Sequence, residues 1–187
     1  MKFKNELLKK KILIFNKKFI FYILIIFFTF IVDRFSKNKK ISKLSEEPVR
    51  VNDFINFDLI WNTGIGFGLL SFDSLLIYNL ITVLIGSIIL TLFYVIIISE
   101  SMDRLIFSMI IGGALGNFYD RLVYNAVPDF IDLHYNAFHW FTFNMADIFI
   151  TLGITLFLIK GFLIKHYNEQ NKFFANNLIS FDFMWLH

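Results

Sequence analysis

The chain has 187 residues, of which 57% are hydrophobic and 26 are phenylalanine. Its mean hydropathy of +0.63 excludes a soluble globular domain. Cysteine is absent, which excludes disulfides, thiolate zinc sites and cysteine nucleophiles together. The formal net charge of +3 gathers at the amino terminus, where Lys2, Lys4, Lys9, Lys10, Lys11, Lys17 and Lys18 precede a long apolar run. That pattern reads as a membrane-orientation signal and argues against a nucleic-acid surface.

A helix needs about 20 mostly apolar residues to cross the hydrocarbon core. Four segments qualify, roughly 14–35, 75–99, 105–121 and 143–164. The first could pass for a secretory signal, but no small-residue cleavage site follows it, and Asp33 and Arg34 come instead. The third crosses only if Asp120 and Arg121 also lie at membrane depth. The lysines place the amino terminus in the cytoplasm, and four crossings return residues 165–187 there as a tail. Residues 36–74 and 122–142 then face outward. Alternation from Val49 to Leu59 predicts short strands on the membrane surface. The expected fold is a membrane all-α protein, a four-transmembrane-helix bundle with a small β-rich extracytoplasmic segment between helices 1 and 2. No repeat or linker divides residues 1–187, so one membrane domain is expected.

Ionisable groups at membrane depth are costly and should have partners inside the protein. In chain order, Asp33 and Lys37 stand one helical turn apart and can pair, as a site or as a plain interfacial ion pair. Trp61 to Leu70 (WNTGIGFGLL) holds three alternate glycines, which suit close backbone approach or a simple turn. In Gly112 to Arg121 (GGALGNFYDR), Gly112 and Gly116 offer a small-residue packing face, and Gly113, Asn117 and Asp120 form a polar stripe ending at Arg121, the expected salt partner of Asp120. Pro128, Asp129 and Asp132 occupy the next connection. Phe143 to Asp147 (FNMAD) opens the last span, where Asn144, Asp147, Thr151 and Thr155 share a face. Asn144 with an acid three residues on also resembles a helix capping box, which would give Asp147 no chemistry.

Two carboxylates held within a few ångströms share one proton and become an acid and a base able to activate water against a peptide carbonyl. Asp129 and Asp147 would need to meet for this. The four histidines, His134, His139, His166 and His187, lack a His-Glu-x-x-His arrangement and are expected at the interface or in solvent. A small transporter or proton-conducting subunit is the competing reading, since buried acids also build relays. Relays place acids at several depths, whereas here they collect at one end of the spans.

VDRFSK at Val32 to Lys37, NTGIGFG at Asn62 to Gly68, GGALGNFYDR, VPDFID at Val127 to Asp132 and FNMAD, in that order, resemble the lipoprotein signal peptidases, the bacterial signal peptidase II family. The resemblance covers roughly Asp33 to Gly153. It implies an aspartyl endopeptidase with Asp129 and Asp147 catalytic, and leaves Asp132 outside the pair. It also implies supporting roles for Asp33, Lys37, Asn62, Gly64, Asn117, Asp120, Arg121, Asn144 and Ala146. The implied substrates are lipid-modified prolipoprotein signal peptides, cut before the diacylglyceryl cysteine near the outer face of the cytoplasmic membrane, among its phospholipids, with no cofactor, metal or nucleic acid. Departures from the family pattern are Asn125 for a glycine, Pro128 before the aspartate, Gly66 for an alanine and Arg34 where glutamine is common. Asparagine is the non-glycine residue most at ease in the left-handed region.

Overall fold

The computed structural model of the chain describes residues 17–43, 48–64 and 75–184. The lysines before residue 17 and the Ile65–Leu70 part of the glycine-rich segment lie outside the described residues. In chain order the elements are α1 (Lys17–Lys43), β1 (Val49–Arg50), β2 (Ile55–Asn62), α2 (Leu75–Ile98), α3 (Ser101–Tyr124), β3 (Val127–Tyr135), β4 (Phe138–Phe143) and α4 (Met145–Met184). Two compact units divide it, Met1–Gly153 and Ile154–His187. In the second, the chain is helical as far as Met184, across most of the stretch read from sequence as a tail.

Among the described residues, three helices are long and apolar enough to cross a membrane, over Lys18–Ser42, Leu75–Ile98 and Met145–Asn171. Their surfaces fit lipid. On α1, Phe21, Leu24, Phe27, Phe28 and Phe35 are all exposed. On α2 the hydroxyls of Thr82, Ser87 and Thr91 donate to carbonyls four residues back at 2.9–3.0 Å, so the helix satisfies its own polar groups. The chain is a largely helical, multi-pass membrane protein.

The 24-residue α3 is less apolar, because glycines, Asn117, Asp120 and Arg121 fill its second half. It packs against both α1 and α2, around Ile26, Ile96 and Ile111. The small-residue face does what its spacing predicts. A Cβ on Gly112 would run into the Thr29 side chain, and one on Gly116 into the Asp33 carboxylate. Larger residues would push α1 away together with the charges it carries.

The four strands form one antiparallel sheet in the order β1-β2-β3-β4. The sequence reading placed the β-rich part between the first two helices, but half of the sheet comes from the connection between α3 and α4. The reason is backbone satisfaction. The two-residue β1 cannot pair the eight residues of β2, which find β3 from Ile55↔Leu133 to Asn62↔Val127, with a register shift between Phe57 and Ile60. Asn125 ends α3 at φ 53°, ψ 23°, the left-handed turn expected of an asparagine in a glycine position. Pro128 is tolerated near the start of β3 because β4 pairs from Ile131 onward, so that edge of β3 has no strand partner there among the described residues.

Candidate active site

The register of β2 on β3 sets Asp129 across from Ile60 and brings Asn62, at the end of β2, onto its carboxylate. Asn62 Nδ2 donates to Asp129 Oδ2 at 2.9 Å, and Asn144 Nδ2 donates to Oδ1. Asn62 Oδ1 accepts from Gly64 N at 2.8 Å, while Arg121 Nη2 donates to Gly64 O at 2.7 Å. Arg121 therefore grips the backbone after β2. It is not the salt partner of Asp120, as the sequence had suggested, because Asp120 is already taken from the other side.

Asp147 sits in the first turn of α4. Asn144 N donates to Asp147 Oδ2 at 3.1 Å, and Asp147 N donates to Asn144 Oδ1 at 3.2 Å, so the capping box is present. Its other oxygen accepts from Asn117 Nδ2 at 2.8 Å. The cap does not remove Asp147 from the site, because Asp147 and Asp129 line the same cavity of about 230 Å³ with Asn62, Asn117 and Arg121. Asn144 touches both acids. With its oxygen committed to the Asp147 amide, its nitrogen must face Asp129. Ile85, Val127 and Ile150 supply apolar wall. A larger cavity of about 480 Å³, between Phe27, Phe30, Phe93 and Phe118, has no carboxylate or amide in its lining.

Behind the cavity lies an ion cluster. Lys37 Nζ, fully buried, meets Asp33 Oδ1 at 3.0 Å, Asp120 Oδ2 at 2.7 Å and Asn117 Oδ1 at 2.8 Å. The Asp33–Lys37 pairing was legible from the one-turn spacing. Asp33 Oδ1 also accepts from the backbone of Ala146 at 3.0 Å and so ties α1 to the first turn of α4. Sequence reasoning missed Arg34, whose Nη2 reaches Asp120 Oδ2 at 2.7 Å and Asp33 Oδ2 at 2.9 Å. Its neighbours in sequence gave one signal, a second cation beside an acid at the end of an apolar helix.

Burial pushes the Asp129 carboxyl from 3.8 up to about 7, and the charge of Asp147 adds to the rise. The amides of Asn62 and Asn144 and the Lys37 ammonium pull the other way. Between those two pH values the folded chain holds a proton at Asp129 that the unfolded chain has lost, so this group makes stability fall as pH rises from about 4 to about 7. Asp129→Asn removes that dependence. The difference in thermal midpoint, variant minus parent, should therefore grow across that window in detergent solution and level off above it. A constant difference would show that Asp129 is not held protonated by its surroundings.

Asp132 lies apart from the pair, held by His139 Nδ1 at 2.7 Å. His134 is 5% exposed, against the expectation that the histidines are interfacial or exposed, because its ring stacks on that of His139 and lies beside Asp132. Among the described residues no group of three or more His, Cys, Asp or Glu side chains is arranged to hold a metal ion.

Fold and site together define a membrane protein with two amide-held carboxylates in one small cavity, where a sheet meets the ends of its helices. Residues 25–163 match the family described as signal peptidase (SPase) II. The chain is 50% identical over 161 residues to the lipoprotein signal peptidase of Pelagibacter ubique (strain HTCC1062), covering 83% of this chain and 96% of that protein. It is 38% identical to the lipoprotein signal peptidase of Aquifex aeolicus (strain VF5), covering 77% and 87%. A bacterial membrane enzyme solved by the in meso method superposes with a TM-score of 0.63 at 30% identity, over 79% of this chain and 90% of the other. The chain belongs to the signal peptidase II family, a family of proteases.

Proposed function

We propose that this chain is an aspartyl endopeptidase that removes the signal peptide from diacylglyceryl-modified prolipoproteins, cutting before the lipidated cysteine. The observation that carries the aspartyl mechanism is that Asp129 and Asp147 line one cavity and share Asn144 as a partner. The pair holds one proton. Its ionised member takes a proton from water as the oxygen attacks the scissile carbonyl, and its protonated member gives one to the leaving nitrogen. Asn62, Asn117 and Asn144 hold the two carboxylates, Arg121 fixes Gly64 beside them, and Asp33 with Lys37 and Asp120 supports Ala146 and Asn117 from behind. No cofactor takes part.

The same reading makes the chain a single four-span domain in the cytoplasmic membrane, with both termini in the cytoplasm. Pairing of β2 with β3 supports it, because one sheet cannot lie on two sides of a bilayer. If α2 leaves that side, α3 must bring the chain back to it, and so α3 crosses despite its polar half. The sheet and cavity then lie near the outer leaflet, where phospholipid surrounds a substrate entering sideways between helices. Single cysteines in this cysteine-free chain check the orientation. A membrane-impermeant thiol reagent added to intact cells should label Asp53→Cys and spare Ser101→Cys, and the reverse pattern would invert the topology.

The activity is tested by incubating the purified protein with one prolipoprotein in two forms, with and without diacylglyceryl on its cysteine. Only the lipidated form should be cut, and the rate should be unchanged by a chelator. Equal cleavage of both forms would remove the substrate assignment. Loss of activity with the chelator, restored by a divalent metal, would remove the metal-free mechanism.

A further inference from the structure

The ion cluster behind the cavity is balanced by a residue with no part in the chemistry above. Asp33 and Asp120, both fully buried, contribute two negative charges. Lys37 supplies one positive charge, and Arg34 the second. Arg34 reaches Asp120 through both terminal nitrogens, Asp33 at 2.9 Å and the carbonyl of Gly116 at 3.3 Å, while its guanidinium lies 4.8 Å from the centre of the Tyr119 ring. A planar fork suits two carboxylates at once, where an ammonium would serve as a point charge. Arg34 occupies Asp33 Oδ2, the oxygen that neither Lys37 nor the Ala146 amide uses.

Two paths lead from these acids to the cavity. Through Asp33, the cluster accepts the Ala146 amide and fixes the residue next to Asp147. Through Lys37, it sets the side-chain amide of Asn117. An ammonium only donates, so Asn117 must turn its oxygen to Lys37 and its nitrogen to Asp147. The charge is felt further still, since Lys37 favours the ionised form of Asp129.

We propose that Arg34 is a positioning residue for the aspartate pair: it keeps the buried cluster neutral and so frees Lys37 to set Asn117 and, through it, Asp147. This rests on the reading of Asp129 and Asp147 as the acting pair. Without Arg34 the cluster carries one uncompensated negative charge in a low-dielectric setting, where charges act over several ångströms. The charged groups facing the pair from the packed elements are then Asp33 and Lys37 on α1, and Asp120 and Arg121 on α3.

The test is the pH profile of kcat on a lipidated prolipoprotein in three variants. Arg34→Gln, which puts in the residue common there in the family, should lower kcat by no more than about tenfold with little change in KM, and move both limbs to higher pH. Arg34→Lys keeps the charge and loses the fork, so kcat should fall while the limbs stay with the parent. Arg34→Gln with Asp120→Asn restores neutrality and should bring the limbs back. If Arg34→Gln alone does not fold, Asp120→Asn carries the comparison: it should move the limbs to lower pH, and adding Arg34→Gln should return them. Limbs that stay put in either pairing overturn the proposal, and so does a rise in KM with kcat unchanged, which would make Arg34 a substrate contact. Well-folded Asp147→Asn is measured beside them. If it is active, the aspartate-pair reading falls. If it is inactive and the limbs do not move, the Arg34 proposal alone falls.

Discussion

Asp129→Asn and Asp147→Asn should each lower cleavage of a lipidated prolipoprotein by at least about a thousandfold, while Asp132→Asn keeps substantial activity. Asparagine preserves the shape of each side chain but can neither take nor give the proton, and general acid–base steps contribute on the order of 10²–10⁴ each. The two acids differ in what else they do. Asp147 also closes the capping box of α4 while accepting from Asn117, and one amide oxygen cannot keep both bonds, so its variant should unfold at slightly lower temperature as well. Among the described residues, Asp129 accepts from two side-chain amides, which its asparagine replacement can still meet in part. Turnover by the folded fraction, with fold monitored by thermal unfolding in detergent, separates the cap from the chemistry. A near-normal rate for folded Asp147→Asn would leave it a cap only. Inactivity confined to Asp132→Asn would move the site to the His139 side of β3.

The second large effect is expected from Lys37→Met, which should lower stability by about 3–5 kcal/mol, the usual cost of leaving a buried charge without its partner. Lys37 is fully buried and is shared by Asp33, Asp120 and Asn117. Its removal strands negative charge between α1 and α3 and lets Asn117 turn over. Activity of whatever remains folded should fall too, since Asn117 would no longer be obliged to donate to Asp147. Adding Asp33→Asn should recover part of the stability by removing one stranded charge, although it weakens the bond to the Ala146 amide. Thermal unfolding of parent, single and double variants reads this directly. A Lys37→Met protein as stable as the parent would mean that the buried acids do not need Lys37 to compensate them.

What the sequence revealed follows from the range of the interactions. The pairing of Asp33 with Lys37 and the capping of Asp147 by Asn144 depend only on helical spacing, and both were readable. The left-handed turn at Asn125 was readable through the family resemblance, which has a glycine at that place. The partner of Arg121 was not, because it is a backbone carbonyl at Gly64, 57 residues away, that approaches only once β2 is registered on β3. Arg34 was passed over for the same reason, since its stronger partner lies on another helix, 86 residues away. The sheet was assigned to one connection because alternation marks a strand without naming its neighbour. His134 is expected at the surface because nothing in its own strand says that β4 folds back and stacks His139 on it.

The separations in sequence also set when the site can exist. Asn62 and Asp129 are 67 residues apart, and Asp33 and the Ala146 amide 113. Such contacts cannot close until the intervening chain has been made, and synthesis proceeds from the amino terminus at roughly 5–20 residues per second. The nascent chain therefore carries Asp33, Lys37 and Asn62 for several seconds before Asn144 and Asp147 emerge to complete the cavity. If Asp129 and Asp147 act as the proposed pair, the cavity stays incomplete through most of insertion and closes only once the helix that carries Asp147 has begun.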